Sequence, residues 1–131
     1  MKRIILFFAM ILIGTTLAFA QKEARIQFKE ITHSFGNVQE SDGTVSCEFE
    51  FVNTGNAPLI IIRASASCGC TIPEYPQQPV APGKKGIIKV TYNAKGRPGA
   101  FQKNVYVYSN TKPDKSILTI KGTVIPSVNK K

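Results

Sequence analysis

The sequence predicts an all-β domain, an immunoglobulin-like β-sandwich of about seven strands, on three observations. Apolar residues recur with a period of two, and no stretch holds a helical period for long. Gly, Pro and Asn interrupt the chain about every ten residues. The part showing this rhythm is about a hundred residues long, the size of one two-layer sandwich.

An N-terminal segment is set apart from that domain. Lys2 and Arg3 precede an unbroken apolar run, Ile4 to Ile13, and Ala18-Phe19-Ala20 then places small residues two apart before Gln21. Charge, short apolar core and A-x-A motif are the pattern of a secretory signal peptide, expected to be cut after Ala20. A membrane span needs roughly 20 apolar residues, and this run falters at Gly14-Thr15-Thr16. The cut site carries Gln21 rather than a lipid-anchoring cysteine. The expected organisation is therefore a leader over 1–20, a sandwich over 21–125 and a flexible tail over 126–131. The processed chain is expected in the periplasm or outside the cell, without a membrane span.

Arg25 to Lys29 is the first short strand, with Ile26 and Phe28 on one face. Phe35 to Val38 reads as a short extended piece or kink, and Glu40 to Gly43 as a polar turn. Thr44 to Val52 is the clearest strand: Val45, Cys47, Phe49 and Phe51 alternate with Ser46, Glu48 and Glu50, so one face is dry and the other wet. Asn53-Thr54-Gly55-Asn56 ends it, since Asn and Gly tolerate tight turns. Leu59 to Ile62 is apolar on both faces and reads as a central strand. Pro73, Pro76 and Pro79 make the next stretch irregular, because proline cannot donate to a ladder. Ala81-Pro82-Gly83-Lys84 fits a type II turn, and Arg97-Pro98-Gly99-Ala100 repeats the motif. Between them lies a strand over Gly86 to Asn93, with Ile88, Val90 and Tyr92 inward. Phe101 to Ser109 follows, with Val105 and Val107 on one face and Tyr106 and Tyr108 on the other. After a polar loop, Ser116 to Ile125 is the last strand, with Gly122 allowing close approach.

Lys2 and Arg3 account for two of 17 basic residues, so 15 remain against 8 acidic ones after processing. The positive charges are scattered, with doublets only at Lys84-Lys85 and Lys130-Lys131. No basic block interleaved with aromatics marks a nucleic-acid interface. The eight acids are dispersed, and their spacing suggests no paired-carboxylate site. With a single histidine in the processed chain, His33, and no phosphate loop or nucleophile elbow, the sequence is not expected to encode an enzyme.

Chemistry, if any, resides in the cysteines. Three remain after processing, an odd number, so at least one is unpaired within the chain. Cys47, between Val45 and Phe49 on the dry face, reads as a packed, inert thiol. Cys68 and Cys70 lie in Ser67-Cys68-Gly69-Cys70-Thr71, where glycine lets the backbone bend. Three readings stay open for this pair. It is a labile disulfide with a local structural role, a soft-metal site for copper(I) or zinc, or a redox-active dithiol. A disulfide between such near neighbours would stabilise the fold by only about 1.6 kcal/mol on the chain-entropy estimate. Four-coordinate zinc would have to recruit His33 and the inward Cys47. The redox reading lacks the C-x-x-C spacing and a following helix.

Phe35-Gly36-x-Val38, Asn53-Thr54-Gly55-Asn56-Ala57-Pro58-Leu59, Ser67-Cys68-Gly69-Cys70-Thr71, Pro82-Gly83, Gly96-Arg97-Pro98-Gly99 and Gly122-Thr123-Val124 occur in that order. Together they resemble the bacterial domain of unknown function 1573 family over about Phe35 to Val124. The resemblance implies export and a sandwich like those of the major sperm protein and cilia-associated type. It implies no activity, and it marks Asn53, Gly55, Ser67, Gly69 and Thr71 as motif residues beside the two cysteines. The function expected from all of this is an exported cell-envelope module that binds or scaffolds an envelope protein or polymer. The alternative is a thiol site at Cys68 and Cys70 for copper(I) or redox exchange.

Overall fold

Alternation of wet and dry residues turns into two stacked sheets. The computed structural model describes residues 20–128, so the leader expected over 1–20 lies, but for Ala20, outside the described residues. Eight strands form: β1 (Ile26–Phe28), β2 (Thr32–Gln39), β3 (Thr44–Asn53), β4 (Ile61–Ala66), β5 (Thr71–Glu74), β6 (Lys85–Asn93), β7 (Gly99–Ser109) and β8 (Lys115–Ile125). The first sheet has the order β1-β3-β6-β5 and the second β2-β8-β7-β4. Every pairing is antiparallel except β2 with β8.

The core lies between the sheets. Phe49, Phe51, Ile88, Val90 and Tyr92 face inward from the first; Val105, Val107, Leu118, Ile120 and Val124 face them from the second, all buried. Each such side chain stabilises the fold by roughly 1.5–3 kcal/mol on leaving water. At one end Tyr92 stacks on Phe101, ring centroids 4.0 Å apart and planes 13° from parallel. Gly122 admits that ring: a Cβ there would come within 2.9 Å of Phe101.

Three local expectations are corrected. Leu59 to Ile62 is not a central strand. Leu59 makes only a bridge to Val80, and β4 begins at Ile61 on the edge of the second sheet, with Ile62 60% exposed. The proline-rich stretch contributes an eighth strand, β5, which includes Pro73. It occupies an edge and pairs only with β6, where a residue without an N–H is tolerated. The turn before β7 closes three residues earlier than the Pro-Gly motif suggests. Arg97 N donates to Ala94 O at 3.1 Å, with Gly96 at φ 71°. The turn at Ala81–Lys84 forms as expected, closed by Lys84 N to Ala81 O at 3.0 Å.

Candidate functional site

The motif residues fall at opposite ends of the sandwich. Asn53 ends β3 beside Ile26 and Lys84, whereas Cys70 and Thr71 stand beside Asn93 and Tyr92 at the far end of β6. The strand rise over β6 separates the two groups by roughly 25 Å. They do not converge on one site.

The Asn53 end is structural. Asn53 is fully buried, and its side chain makes four hydrogen bonds. Its Oδ1 accepts from Arg25 N at 3.3 Å and Gly55 N at 3.0 Å. Its Nδ2 donates to Ala57 O at 2.8 Å and Val80 O at 2.9 Å. This exhausts the usual capacity of an amide and leaves it nothing to offer a ligand. Gly55 has an equally local reason: a Cβ there would overlap Glu23 O and would lie 2.6 Å from Arg25 N. The N-T-G motif thus clamps the chain before β1 against the end of β3.

The cysteine end is chemically different. The chain leaves the second sheet after β4 and enters the first at β5, and Cys68-Gly69-Cys70 is that crossing. Cys68 and Cys70 are joined as a disulfide, with Cα atoms 5.3 Å apart. Cys70 is buried, 3% exposed, and its carbonyl accepts from Asn93 N at 2.8 Å. Cys68 is partly open, between exposed Ser67 and Gly69. Cys70 N donates to Cys68 Sγ at 3.2 Å. The Oγ1 of buried Thr71 lies 3.8 Å from Cys68 Sγ and 3.6 Å from Cys70 Sγ. Ser67 ties the crossing back to β7: its N donates to Asn104 O at 3.0 Å, and its Oγ accepts from Asn104 N at 3.2 Å.

The third cysteine is unpaired. Cys47 is a buried free thiol on β3, and burial, then the charge of Glu48, push its pKa up to about 11. His33 packs edge-on against Phe35, centroids 4.6 Å apart. Among the described residues no group of three or more His, Cys, Asp or Glu stands close enough to hold a metal ion. The four ligands that zinc would need are therefore not assembled. Glu40, one of the dispersed acids, has a role the sequence did not suggest: it accepts from Gly96 N at 3.1 Å and Ser127 N at 3.2 Å. It thereby ties the turn before β7 to the chain after β8. Among the described residues no helix is long and apolar enough to cross a membrane.

A protein of unknown function from Porphyromonas gingivalis superposes with a TM-score of 0.68 at 14% identity, over 84% of this chain and 51% of that one. The chain thus spans about half the length of that protein. The ASH / PapD-like domain 7 of human CEP192 gives 0.66 at 9% identity, over 87% of this chain and 94% of that one. The E. coli chaperone DraB gives 0.51 at 10%, over 82% and 58%. At such identities the likeness concerns the fold, a PapD-like, immunoglobulin-like sandwich. A search of curated proteins gave no match. The family model described as "Protein of unknown function (DUF1573)" covers residues 26–124, from β1 nearly to the end of β8, and the chain belongs to that family.

Proposed function

We propose that the protein is a non-catalytic binding module of the cell envelope, exported by its N-terminal leader, that docks an acidic partner on the outer face of the second sheet. The observation that carries this reading is the division of charge between the layers. The four strands of the second sheet contain no Asp or Glu, yet they carry Arg63, Lys103, Lys115 and Lys121. The acids that lie in strands, Glu48, Glu50 and Glu74, all belong to the first sheet. Arg63, Lys115 and Lys121 share the second sheet's outer face with Tyr106 and Tyr108. The Arg63 guanidinium lies 3.9 Å from the Tyr108 ring centroid, and Lys115 Nζ lies 5.7 Å from that of Tyr106. Stacking fixes a guanidinium while leaving its edge available to carboxylate or phosphate oxygens. A face of one sign attracts and orients a partner of the other. A chaperone among the structural neighbours accords with a binding role.

Strand addition at a sheet edge, the other route open to a sandwich, is less favoured. β1 has three residues, β5 has four and includes Pro73, and β2 and β4 both carry register shifts. Short, bulged or proline-bearing edges resist pairing.

Affinity capture from envelope extract tests the reading. A partner retained by the wild type should elute with salt. It should be lost from Arg63→Glu/Lys121→Glu and kept by Lys85→Glu/Lys89→Glu, which reverses charges on the first sheet. Retention indifferent to both salt and the first pair of reversals would sink the proposal.

A further inference from the structure

We propose that Cys68 and Cys70 form a thiol–disulfide exchange site for cysteine thiols of another polypeptide. Cys68 is the sulfur that meets the partner, and Cys70 is the one that resolves. This inference does not depend on the docking face proposed above.

Three features of the crossing support it. The first is unequal access. An incoming thiolate must approach a sulfur along the S–S axis; Cys68 is partly open, while Cys70 is buried and fastened to β6 through Asn93. The second is a set of donors aimed at the exposed sulfur. The backbone N–H of Cys70 points to Cys68 Sγ at 3.2 Å. The Thr71 hydroxyl, within 4 Å of both sulfurs, can turn to whichever carries charge. Hydrogen bonds to a thiolate favour it over the thiol. The third is dispensability: the bridge links residues two apart, closing so short a loop that it contributes little to holding the fold. A bond with little structural role can open and close.

A thiolate of the partner's dithiol attacks Cys68 Sγ. The Cys68–Cys70 bond breaks, and its electron pair leaves on Cys70 Sγ, which takes up a proton. The partner's second thiolate then attacks its own sulfur in the mixed disulfide, and Cys68 leaves as a thiolate held by the Cys70 N–H. The partner is oxidised by two electrons to a disulfide and the Cys68–Cys70 pair is reduced by two. Run in reverse, the reduced pair opens a partner's disulfide through the same mixed disulfide on Cys68.

The test uses the full chain and glutathione as the probe. In a buffer of reduced and oxidised glutathione, Cys70→Ser should accumulate a mixed disulfide on Cys68. Cys68→Ser should carry at least about tenfold less on Cys70, because the buried sulfur is not attacked. The wild type, briefly reduced and then alkylated, should be labelled at Cys68 before Cys70 when peptides are mapped by mass; this reading needs no variant to fold. Equal adducts on the two variants, labelling of Cys70 first, or a wild-type disulfide unchanged by millimolar glutathione would each overturn the assignment.

Discussion

At the scale of single residues, the buried polar groups carry specific consequences. Removing the Asn53 amide orphans Arg25 N, Gly55 N and Ala57 O and leaves Val80 O with Leu59 N as its remaining donor. Unsatisfied buried groups cost about 1–3 kcal/mol each before relaxation. Asn53→Ala should therefore lower stability by about 2–4 kcal/mol in urea unfolding; a loss below about 1 kcal/mol would mean that water replaces the amide. Cys47 gives a prediction in pH. Its folded pKa, about 11, stands above the ordinary thiol value of 9.0. Below about pH 9 both states hold the proton and the contribution of the neutral buried thiol is complete. Between 9 and 11 the unfolded chain alone ionises, so stability falls as pH rises. Unfolding free energies from pH 8 to 10.5 should fall more steeply for the wild type than for Cys47→Ala, and parallel curves would refute this. The inward position of Cys47 was legible from alternation alone. For Asn53 only the turn was legible: two of its four partners, Arg25 and Val80, lie far away in sequence, and no local pattern brings them together.

At the scale of elements, the strands flanked on both sides were read correctly and the edge strands unevenly: β1 was read within Arg25 to Lys29, β2 only in its Phe35 to Val38 part, and β4 and β5 not as edges at all. β3, β6, β7 and β8 announce themselves by alternation because each has one face in the core. Leu59 to Ile62 misled because four apolar residues in a row suggest burial on both faces, whereas Ile60 and Ile62 are left exposed by a strand that starts late at an edge. β5 was hidden by Pro73, which excludes a central strand and says nothing against an outer one. One close packing between elements is also silent in the sequence. Gly86 lies opposite Phe51 in the β3–β6 ladder. A Cβ there would overlap the Phe51 ring, itself fully buried. Since a buried aromatic cannot swing into solvent, Gly86→Ala should cost about 1–3 kcal/mol as overpacking. Thermal unfolding checks this, and the same change at the exposed, unobstructed Gly69 is a control expected to have little effect on stability.

At the scale of the whole molecule, the sequence shows a basic chain with scattered lysines, and only the strand order shows that the two sheets differ in charge. The same holds for the two ends: the motifs read in sequence as one family signature, but in space they are a structural clamp and a chemically distinct crossing. What holds the layers together should then be the core and not the cysteine bridge. Phe49 is 2% exposed between the sheets, and truncating it removes an aromatic ring from a packed interior, so Phe49→Ala should cost about 3–5 kcal/mol. Replacing both Cys68 and Cys70 by serine removes a closure whose chain-entropy contribution is about 1.6 kcal/mol, and the two hydroxyls keep polar atoms near Thr71. The double variant should therefore unfold in urea with a midpoint much nearer the wild type than that of Phe49→Ala, and with an unchanged slope. If it instead lost as much stability as Phe49→Ala, the bridge would be a staple of the fold, and its proposed role in exchange would lose its physical basis.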